Sequence, residues 1–237
     1  MTDHRWLTAD GGRLRKAGGG SPAMLTVLRF TVRRGLAGVW VQGQVPSGPA
    51  VWAANHHSWW DPFLAAELLA GARRRPVVLM DPANLRKYRF ARRLGVIGTD
   101  ELRTGLVALR SGAVLVLYPE GRLLPAGQPG PLAEGAAWFA QRAPAALCSA
   151  AVRVLLRGGQ FPEAYVVLRG VAATGSRAAV TERLHAQLGQ DLAWLDQLIA
   201  RTDARQPLPG LQSAVRARRS WDERIDAARG WLPWQHR

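Results

Sequence analysis

The sequence predicts an α/β domain in which a single mixed β-sheet is flanked by helices. Two short apolar runs, 50–54 and 113–118, have the length and the β-compatible composition of buried strands. Each run ends in a polar block, and the first block leads into a stretch rich in alanine and leucine that is typical of a helix. With 237 residues and 48% hydrophobic composition, the chain is long enough to bury a core of this kind.

The same patterns set the predicted element order along the chain. We expect a polar, glycine-rich and mobile N-terminal segment over 1–22, the α/β domain over 23–180 and a helical C-terminal extension over 181–237. The predicted helices cover 23–36, 61–70, 105–110, 135–140 and 181–201; the predicted strands cover 39–45, 50–54, 76–80, 113–118 and 164–170, with a further strand opening after 143–147.

The charge balance is strongly basic. Lysine and arginine total 32 against 17 acidic residues, giving a net charge of +15, and all of these basic residues except Lys16 and Lys87 are arginines. Such a surface attracts polyanions, namely anionic lipid headgroups, phosphate-bearing substrates or nucleic acid. Because a bias in base composition also enriches arginine and alanine, the charge indicates a class of partner and nothing more specific.

Cysteine content and hydropathy bound the compartment. The single cysteine, Cys148, lies in an alanine-rich apolar stretch, and we interpret it as a core residue. No internal disulfide can form, which suits a reducing compartment. We expect no secretory signal in residues 1–20, and no run approaches the roughly 18 apolar residues that span a bilayer. The sequence therefore predicts a cytoplasmic protein that would meet lipid only from the membrane surface.

His56 and Asp61 carry the chemistry expected of the first polar block, residues 55–62. The block lies at a strand-to-helix turn, where side chains project into a cleft. An imidazole, with an unperturbed pKa of about 6.5, takes a proton from a hydroxyl at neutral pH. A carboxylate on its other ring nitrogen fixes the tautomer and stabilises the imidazolium. Five positions apart, the two side chains meet across a turn and not along one helix face.

Simpler roles stay open for both residues. Asp61 precedes Pro62, which is the arrangement of a helix N-cap, and a carboxylate with two oxygens can cap a helix and orient a histidine together. A histidine in a turn is also often only solvated or hydrogen-bonded.

The pattern Asn55-His56-x-x-x-x-Asp61 after an apolar strand resembles the first motif of the glycerolipid acyltransferases, the 1-acylglycerol-3-phosphate acyltransferase family. Three later stretches, 94–98, 119–122 and 143–147, resemble the family's second, third and fourth motifs in the family's order. The resemblance implies that His56 is the general base on an acceptor hydroxyl and that Asp61 orients it.

The same resemblance implies the substrates. A fatty acyl group would move from a thioester, acyl-CoA or acyl-carrier protein, to the hydroxyl of a lysophospholipid-type acceptor, by default 1-acylglycerol-3-phosphate. No acyl-enzyme, metal or cofactor is implied, and Cys148 is expected to be dispensable. The residues implied in substrate binding are Asn55, Glu120, Gly121, Arg122 and Arg103.

Two departures from the family pattern affect the acceptor. In the second motif, residues 99–101 stand where an arginine normally follows closely, and the next arginine is Arg103. In the third motif, Arg122 arrives one position early and the threonine is missing. Because both arginines are displaced, glycerol 3-phosphate, another lysophospholipid or a non-phosphate lipid stay open as acceptors. Glu120 also has a simpler interpretation as a turn carboxylate paired with a nearby arginine.

Other classes of protein account for fewer of these features. A metal hydrolase would use His56, His57 and Asp61 as ligands, and carboxylates would have to complete its shell. A nucleic-acid-binding protein would explain the charge and the arginine-rich stretch 83–98, although that stretch equally suits the lip of a phosphate or CoA site. No nucleic-acid motif is present, so we expect no nucleic-acid partner, and the absence of Gly-x-Ser-x-Gly disfavours a serine hydrolase.

Two segments are candidates for membrane contact. The basic amphipathic helix 23–36 either lies in a membrane interface or packs on the core with its arginines in water. Trp231 and Trp234, near the end of the chain, suit a membrane interface or docking onto the body. We expect the protein to associate peripherally with the anionic inner face of the cell membrane.

Overall fold

The structure is a computed structural model that describes residues 22–229, except for the side chains of 22–25, 226 and 228–229. The strands are β1 Gly38–Gln42, β2 Ala50–Ala54, β3 Pro76–Met80, β4 Val96–Gly98, β5 Val114–Leu117, β6 Ala146–Leu155, β7 Glu163–Val171 and β8 Gln212–Arg216. The helices are α1 Pro22–Gly35, α2 Asp61–Gly71, α3 Pro82–Lys87, α4 Leu102–Arg110, α5 Gly135–Arg142, α6 Arg177–Arg201 and α7 Trp221–Arg229, with a 3-10 helix at Arg89–Leu94.

All eight strands form one mixed sheet in the spatial order β4-β3-β5-β2-β6-β7-β1-β8. Strands β2 to β6 run in the same direction, β7 and β1 run in the opposite direction, and β8 is antiparallel to β1. The carboxyl ends of β2 to β6 therefore lie at the same edge of the sheet as the amino ends of β7 and β1 and the carboxyl end of β8. We call this edge, which holds Ala54, Gly38 and Arg216, the upper edge. The predicted α/β class with a mixed sheet is confirmed.

Helices cover both faces of the sheet and divide the core in two. Helices α1 and α2 pack on one face around buried residues such as Trp52 and Leu64. Helices α4, α5 and α6 pack on the other face around Leu115 and Phe139. Every residue of β2 and β5 is buried, as expected of parallel strands covered on both faces, and this is why both read as continuous apolar runs in the sequence.

Helix α1 is held against α2 by charge and by close packing. Glu67, which is buried in α2, accepts from Arg29 Nε at 3.1 Å and lies 3.6 Å from an Arg33 nitrogen. At the end of α1, a Cβ added to Gly35 would lie 2.0 Å from the indole of Trp60, so only glycine permits this approach. The core-packing interpretation of this helix is therefore what the structure shows, and the helix ends directly against the polar block that follows β2.

The C-terminal part of the chain is not the helical extension that the sequence predicts. The predicted boundary at 180 and 181 falls inside α6, which buries Leu184, Leu188, Leu192 and Leu195 in the core. Residues 212–216 form β8, an edge strand in which only Val215 is buried, so its apolar pattern is too weak to detect. The predicted mobile segment, apart from Pro22, and the predicted contacts of Trp231 and Trp234 lie outside the described residues. Among residues 22–229, no helix combines the length and the hydropathy needed to cross a bilayer.

Candidate active site

The turn between β2 and α2 is built around the carboxylate of Asp61. Its Oδ2 accepts from the backbone N–H of His57 and of Ser58, each at 2.9 Å, and from His56 Nδ1 at 2.8 Å. Asp61 is the first residue of α2, the N-cap position is Trp60, and no side chain caps the helix there. The N-cap interpretation of Asp61 is thus wrong: the carboxylate points back at the preceding turn and holds His56.

His56 has one ring nitrogen bound and one available. The completely buried carboxylate of Asp61 accepts three N–H groups, so it is an acceptor and the imidazole proton lies on Nδ1. No residue between Pro22 and Arg229 bonds to Nε2, and about 24% of the side chain is exposed. An unprotonated Nε2 at an accessible position is the arrangement that a general base requires.

Tyr118, at the end of the neighbouring strand β5, forms one wall of the histidine site. Its ring stacks on the imidazole of His56 with 4.3 Å between centroids and an interplanar angle of 26°. Burial raises the pKa of the Tyr118 phenol well above its ordinary value, and the negative charge of Asp61 acts in the same direction. The neutral ring therefore fixes the plane of the imidazole without competing for its proton.

Glu120 holds the backbone of His56. One carboxylate oxygen accepts from the His56 N–H at 2.6 Å, and the other accepts from the Gly130 N–H at 2.9 Å. The Leu124 N–H in turn donates to the His56 carbonyl at 2.8 Å. Neither Glu120 oxygen pairs with an arginine in the described part of the chain, so the interpretation of Glu120 as a carboxylate paired with an arginine is wrong. Both oxygens therefore position the turn between β2 and α2, and the predicted contact of Glu120 with the acceptor stays a prediction.

Gly121 and Arg122 lie where the third motif passes His56. Gly121 has a φ of +68°, the left-handed region in which side chains are strained, so a turn of this shape favours glycine. Arg122 is exposed and lies two residues before Leu124, which bonds to the His56 backbone. The structure thus brings His56, Asp61, Glu120, Gly121 and Arg122 together at the upper edge.

A sequence model of the acyltransferase family matches residues 38–153, which include β1 to β5, most of β6 and both polar blocks. This part of the chain belongs to the acyltransferase family. The acyltransferase is also similar to a solved structure, the 1-acyl-sn-glycerophosphate acyltransferase PlsC from Thermotoga maritima, with a TM-score of 0.54 over 73% of this chain and 76% of that chain. At 15% identity this likeness shows the fold alone. No curated protein matches the chain in sequence.

Asn55 and His57 anchor the turn between β2 and α2 to β6. The Asn55 side chain accepts from the Val152 N–H at 2.7 Å and donates to the Val152 carbonyl at 3.2 Å, as a further residue of a paired strand would. His57 Nε2 accepts from the Val154 N–H at 3.1 Å. Together they extend the pairing of β2 with β6 beyond Ala54. The structure gives the buried Asn55 this anchoring role, and its predicted contact with the substrate stays a prediction.

His57 is held neutral at this position. Burial lowers its pKa, Arg153 and His56 act in the same direction, and Asp61 and Glu120 oppose them. Because Nε2 accepts from a backbone N–H, the ring proton lies on Nδ1, which is 3.8 Å from the second oxygen of Asp61. His57 Nε2 is therefore already bonded to a backbone N–H and is not available as a metal ligand, which weakens the metal-hydrolase interpretation. No group of three or more metal-binding side chains occurs within residues 22–229.

Arg103 lies apart from the other predicted site residues. It is exposed on α4, on the sheet face opposite α2, and the preceding strand β4 is three strands from β2. At about 4.8 Å per strand, this separates the two strand ends by roughly 14 Å. In the second motif, Glu101 is paired with Arg92 at 2.6 Å. The structure therefore does not bring Arg103 to the histidine.

Cys148 is a core residue of β6, as the sequence predicts. It is buried, and burial raises the pKa of its thiol to about 12, so no thiolate forms near neutral pH.

Sequence reasoning missed two residues that support the site. Tyr118 directly precedes the third motif, and this position next to the motif is the one sequence feature that could have identified it. Arg153 is buried and pairs with Asp196 at 2.7 and 2.8 Å while donating to the Gly127 carbonyl at 2.8 Å, which fixes the loop after Gly121 onto α6. Since Asp196 is 43 residues away, no local pattern indicates that pair.

Proposed function

We propose that this acyltransferase moves a fatty acyl group from an acyl thioester to a hydroxyl of a lysophospholipid-type acceptor by general-base catalysis. The observation that carries the proposal is the 2.8 Å contact between His56 Nδ1 and Asp61 Oδ2, which leaves Nε2 available at the upper edge. Acyl-CoA and acyl-carrier protein are the two candidate donors, and neither a cofactor nor a metal is required.

In the proposed reaction, His56 Nε2 accepts the hydroxyl proton as the acceptor oxygen attacks the thioester carbonyl carbon. A tetrahedral intermediate forms, and its collapse breaks the carbon–sulfur bond. The departing thiolate takes up the proton from the imidazolium, so that one alcohol and one thioester give one ester and one thiol. Asp61 stabilises the imidazolium through Nδ1–H while the charge is present.

A direct transfer without an acyl-enzyme fits the nucleophiles that the site offers. Cys148 is buried in β6. Because burial raises the pKa of its thiol, the thiol stays protonated near neutral pH. Ser58 lies in the catalytic turn, but its hydroxyl oxygen accepts from the Trp60 N–H and no contact with His56 activates it. The acceptor hydroxyl is therefore the group on which His56 acts.

We propose 1-acylglycerol-3-phosphate as the default acceptor. A solved structure with a similar fold is that of a 1-acyl-sn-glycerophosphate acyltransferase, and Arg122 of this chain is an exposed cation that lies between Glu120 and Leu124, both of which bond to the His56 backbone. A guanidinium there suits the phosphate of an acceptor whose hydroxyl reaches Nε2. The displaced arginines keep glycerol 3-phosphate, another lysophospholipid and a non-phosphate lipid as alternative acceptors.

We propose that the enzyme works on the surface of an anionic membrane, from the cytoplasmic side. Exposed apolar side chains, namely Val27 and Phe30 on α1 and Trp59 in the catalytic turn, lie on the same sheet face as the arginines of α1. Binding to vesicles should increase with their content of anionic lipid and decrease with salt. Absent or salt-insensitive binding would contradict a peripheral site of this kind.

The test of the proposed function is a panel of acceptor alcohols incubated with labelled acyl-CoA or acyl-carrier protein and read by the mass of the lipid product. We expect transfer to lysophospholipid, and a loss of ~10²–10⁴-fold in the His56→Ala variant because a general base is removed. The control is His185→Gln, altered at an exposed histidine on α6. Glutamine can keep the contact of this side chain with the Pro129 carbonyl, so the variant should keep the activity of the wild type. Transfer that persists in His56→Ala would contradict the mechanism.

A further inference from the structure

A cluster of five arginines lines a cavity at the end of α1. The cavity has a volume of about 480 Å³ and lies between the last turn of α1, the segment after β8 and the first turn of α7. It is lined by Ala217 and by the arginines Arg33, Arg34, Arg218, Arg219 and Arg224. We call it the arginine pocket. No acidic side chain of the described residues lines it.

The charges of the arginine pocket are poorly neutralised by the protein. Among the side chains that the structure describes, which do not include that of residue 226, Arg33 is the one arginine of the pocket near a carboxylate, at 3.6 Å from Glu67, and Glu67 already binds Arg29 at 3.1 Å. The carboxylate of Glu223, on the same helix as Arg224, is bonded to the Ser220 N–H and does not line the cavity.

Aromatic rings hold three of the guanidinium groups in place. Arg34 lies over Phe30 at 5.1 Å, Arg218 over Phe161 at 4.2 Å and Arg224 over Trp221 at 5.8 Å. Like charges that are gathered and oriented in this way repel one another unless an anion joins them. The pocket is therefore suited to a ligand that carries several negative charges.

The arginine pocket opens at the same edge of the sheet as His56. The N–H of Arg218 donates to the Leu36 carbonyl at 3.0 Å, which fixes the pocket where β1 begins and β8 ends. These strands are three and four places from β2, so the distance along the edge is roughly 14–19 Å at about 4.8 Å per strand. The close approach of Trp60 to Gly35 joins the end of α1, which carries Arg33 and Arg34, to the turn that carries His56.

We infer that the arginine pocket binds the phosphate groups of the CoA part of an acyl-CoA donor. The inference rests on the proposed acyl transfer from a thioester. CoA carries a pyrophosphate and a further ribose phosphate, which match several guanidinium groups. Its pantetheine arm is comparable to an extended peptide of four or five residues, roughly 15 Å long, and so spans the distance to His56. The phosphate of a glycerophospholipid acceptor is only a few bonds from the reacting hydroxyl and cannot reach.

A second arginine-rich cavity is less suited to this ligand. It lies at the upper ends of β3 and β4, also has a volume of about 480 Å³, and is lined by Arg86, Arg89 and Arg92 together with Asp100. Arg92 is paired with Glu101 at 2.6 Å. The carboxylates there oppose a ligand with several negative charges, whereas the described lining of the arginine pocket contains none.

The kinetic test uses the double variant Arg219→Gln with Arg224→Gln. These two arginines line the pocket and make no described contact with another helix or strand. With acyl-CoA as donor we expect KM to increase at least ~10-fold, because charge-assisted hydrogen bonds to phosphate are lost. With acyl-pantetheine, which has no phosphates, KM and kcat should equal those of the wild type. The control Arg110→Gln with Arg142→Gln removes two arginines at the opposite edge and should change neither donor's KM.

Calorimetric titration with CoA alone separates this inference from the proposed function. Binding to the wild type that weakens with salt and is lost in the double variant supports the pocket, whether or not any acceptor is acylated. Transfer by the wild type with equal KM for acyl-CoA in both proteins would overturn the inference and leave the proposed function standing. Loss of carrier-protein binding or of anionic-vesicle binding in the double variant, with CoA binding unchanged, would also overturn it.

Discussion

Two polar blocks follow neighbouring strands of the sheet, and they use their side chains in different ways. In the block after β2, His56 is bonded through one nitrogen and keeps the other available at an accessible position. In the block after β5, both oxygens of Glu120 are bonded to backbone N–H groups. Proximity to the reaction therefore does not by itself make a residue catalytic: the number of polar atoms that remain unbonded decides its role.

The comparison also separates chemistry from positioning. In the proposed mechanism the β2 block presents the base, His56. Glu120 in the β5 block holds the His56 backbone, and Tyr118, which precedes that block, stacks on the His56 ring. Substitution of His56 or Asp61 should change the rate with little effect on folding. Substitution of Glu120 should change folding and rate together.

After His56→Ala, the largest effect is expected for Asp61→Asn. The amide oxygen can still accept the N–H groups of the turn, but a neutral side chain no longer stabilises the His56 imidazolium, so acyl transfer should decrease at least roughly 10²-fold. The free energy of unfolding should change by less than ~1 kcal/mol, which is about 2–4 °C in Tm. Kinetics and thermal unfolding on the same preparation check both; unchanged activity with a large loss of Tm would mean that Asp61 is only structural.

Glu120→Gln should reduce stability and activity together. Glutamine offers one acceptor oxygen where the carboxylate serves the N–H groups of His56 and Gly130, so one backbone N–H loses its partner. We expect a loss of about 1.5–3 kcal/mol in the free energy of unfolding, as for a hydrogen bond to a charged group, with roughly tenfold lower kcat. Denaturant titration measures the free energy of unfolding, and steady-state kinetics measure kcat. A variant with full stability and a raised KM for the acceptor would instead support direct acceptor binding by Glu120.

His57→Gln should alter the pH dependence of stability. The pKa of His57 is lowered from 6.5 in the folded protein, so below about pH 6.5 the unfolded chain binds more protons and the wild type loses stability as the pH falls toward the folded pKa. Glutamine can accept from the Val154 N–H and does not titrate, so the variant should lose less stability than the wild type as the pH falls. Measurement of Tm between pH 5 and 8 checks this difference, with His185→Gln as the control. Identical slopes in all three proteins would contradict a buried neutral His57.

Tyr118→Phe should have the smallest effect. The ring stacks on His56, whereas the hydroxyl is buried without a hydrogen-bond partner in the described structure. Removing it should leave kcat within about twofold and stability equal or slightly higher, because a buried unpaired hydroxyl is costly. Tyr118→Leu, which removes the stacking, is the informative contrast and should lower kcat. A large loss of kcat in Tyr118→Phe would show that the hydroxyl takes part in the reaction.

Much of the fold is readable from the sequence because buried parallel strands and amphipathic helices leave strong local patterns. Residues 50–54 and 76–80 match β2 and β3, and the apolar run 113–118 contains β5. The three-residue β4 and the polar edge strand β8 escape detection, since neither carries a period long or apolar enough to recognise.

The site is readable only in part, because spacing brings side chains together but does not show which of their atoms are bonded. The five-residue spacing correctly places His56 against Asp61. It does not show that Asn55 pairs with Val152, 97 residues away, or that both oxygens of Glu120 are occupied. The arginine pocket likewise joins the end of α1 to residues after β8, which only the sheet topology brings together.

The central claim is that Asp61 holds the His56 proton on Nδ1 and leaves Nε2 free to act as the base. The most direct measurement is the ¹⁵N NMR spectrum of the histidine rings at alkaline pH, with the His56 signals assigned by their loss in His56→Gln. We predict a neutral ring protonated on Nδ1 in the wild type. An Nε2-protonated ring at His56 would contradict this account, because that nitrogen could not then accept the proton of an acceptor hydroxyl.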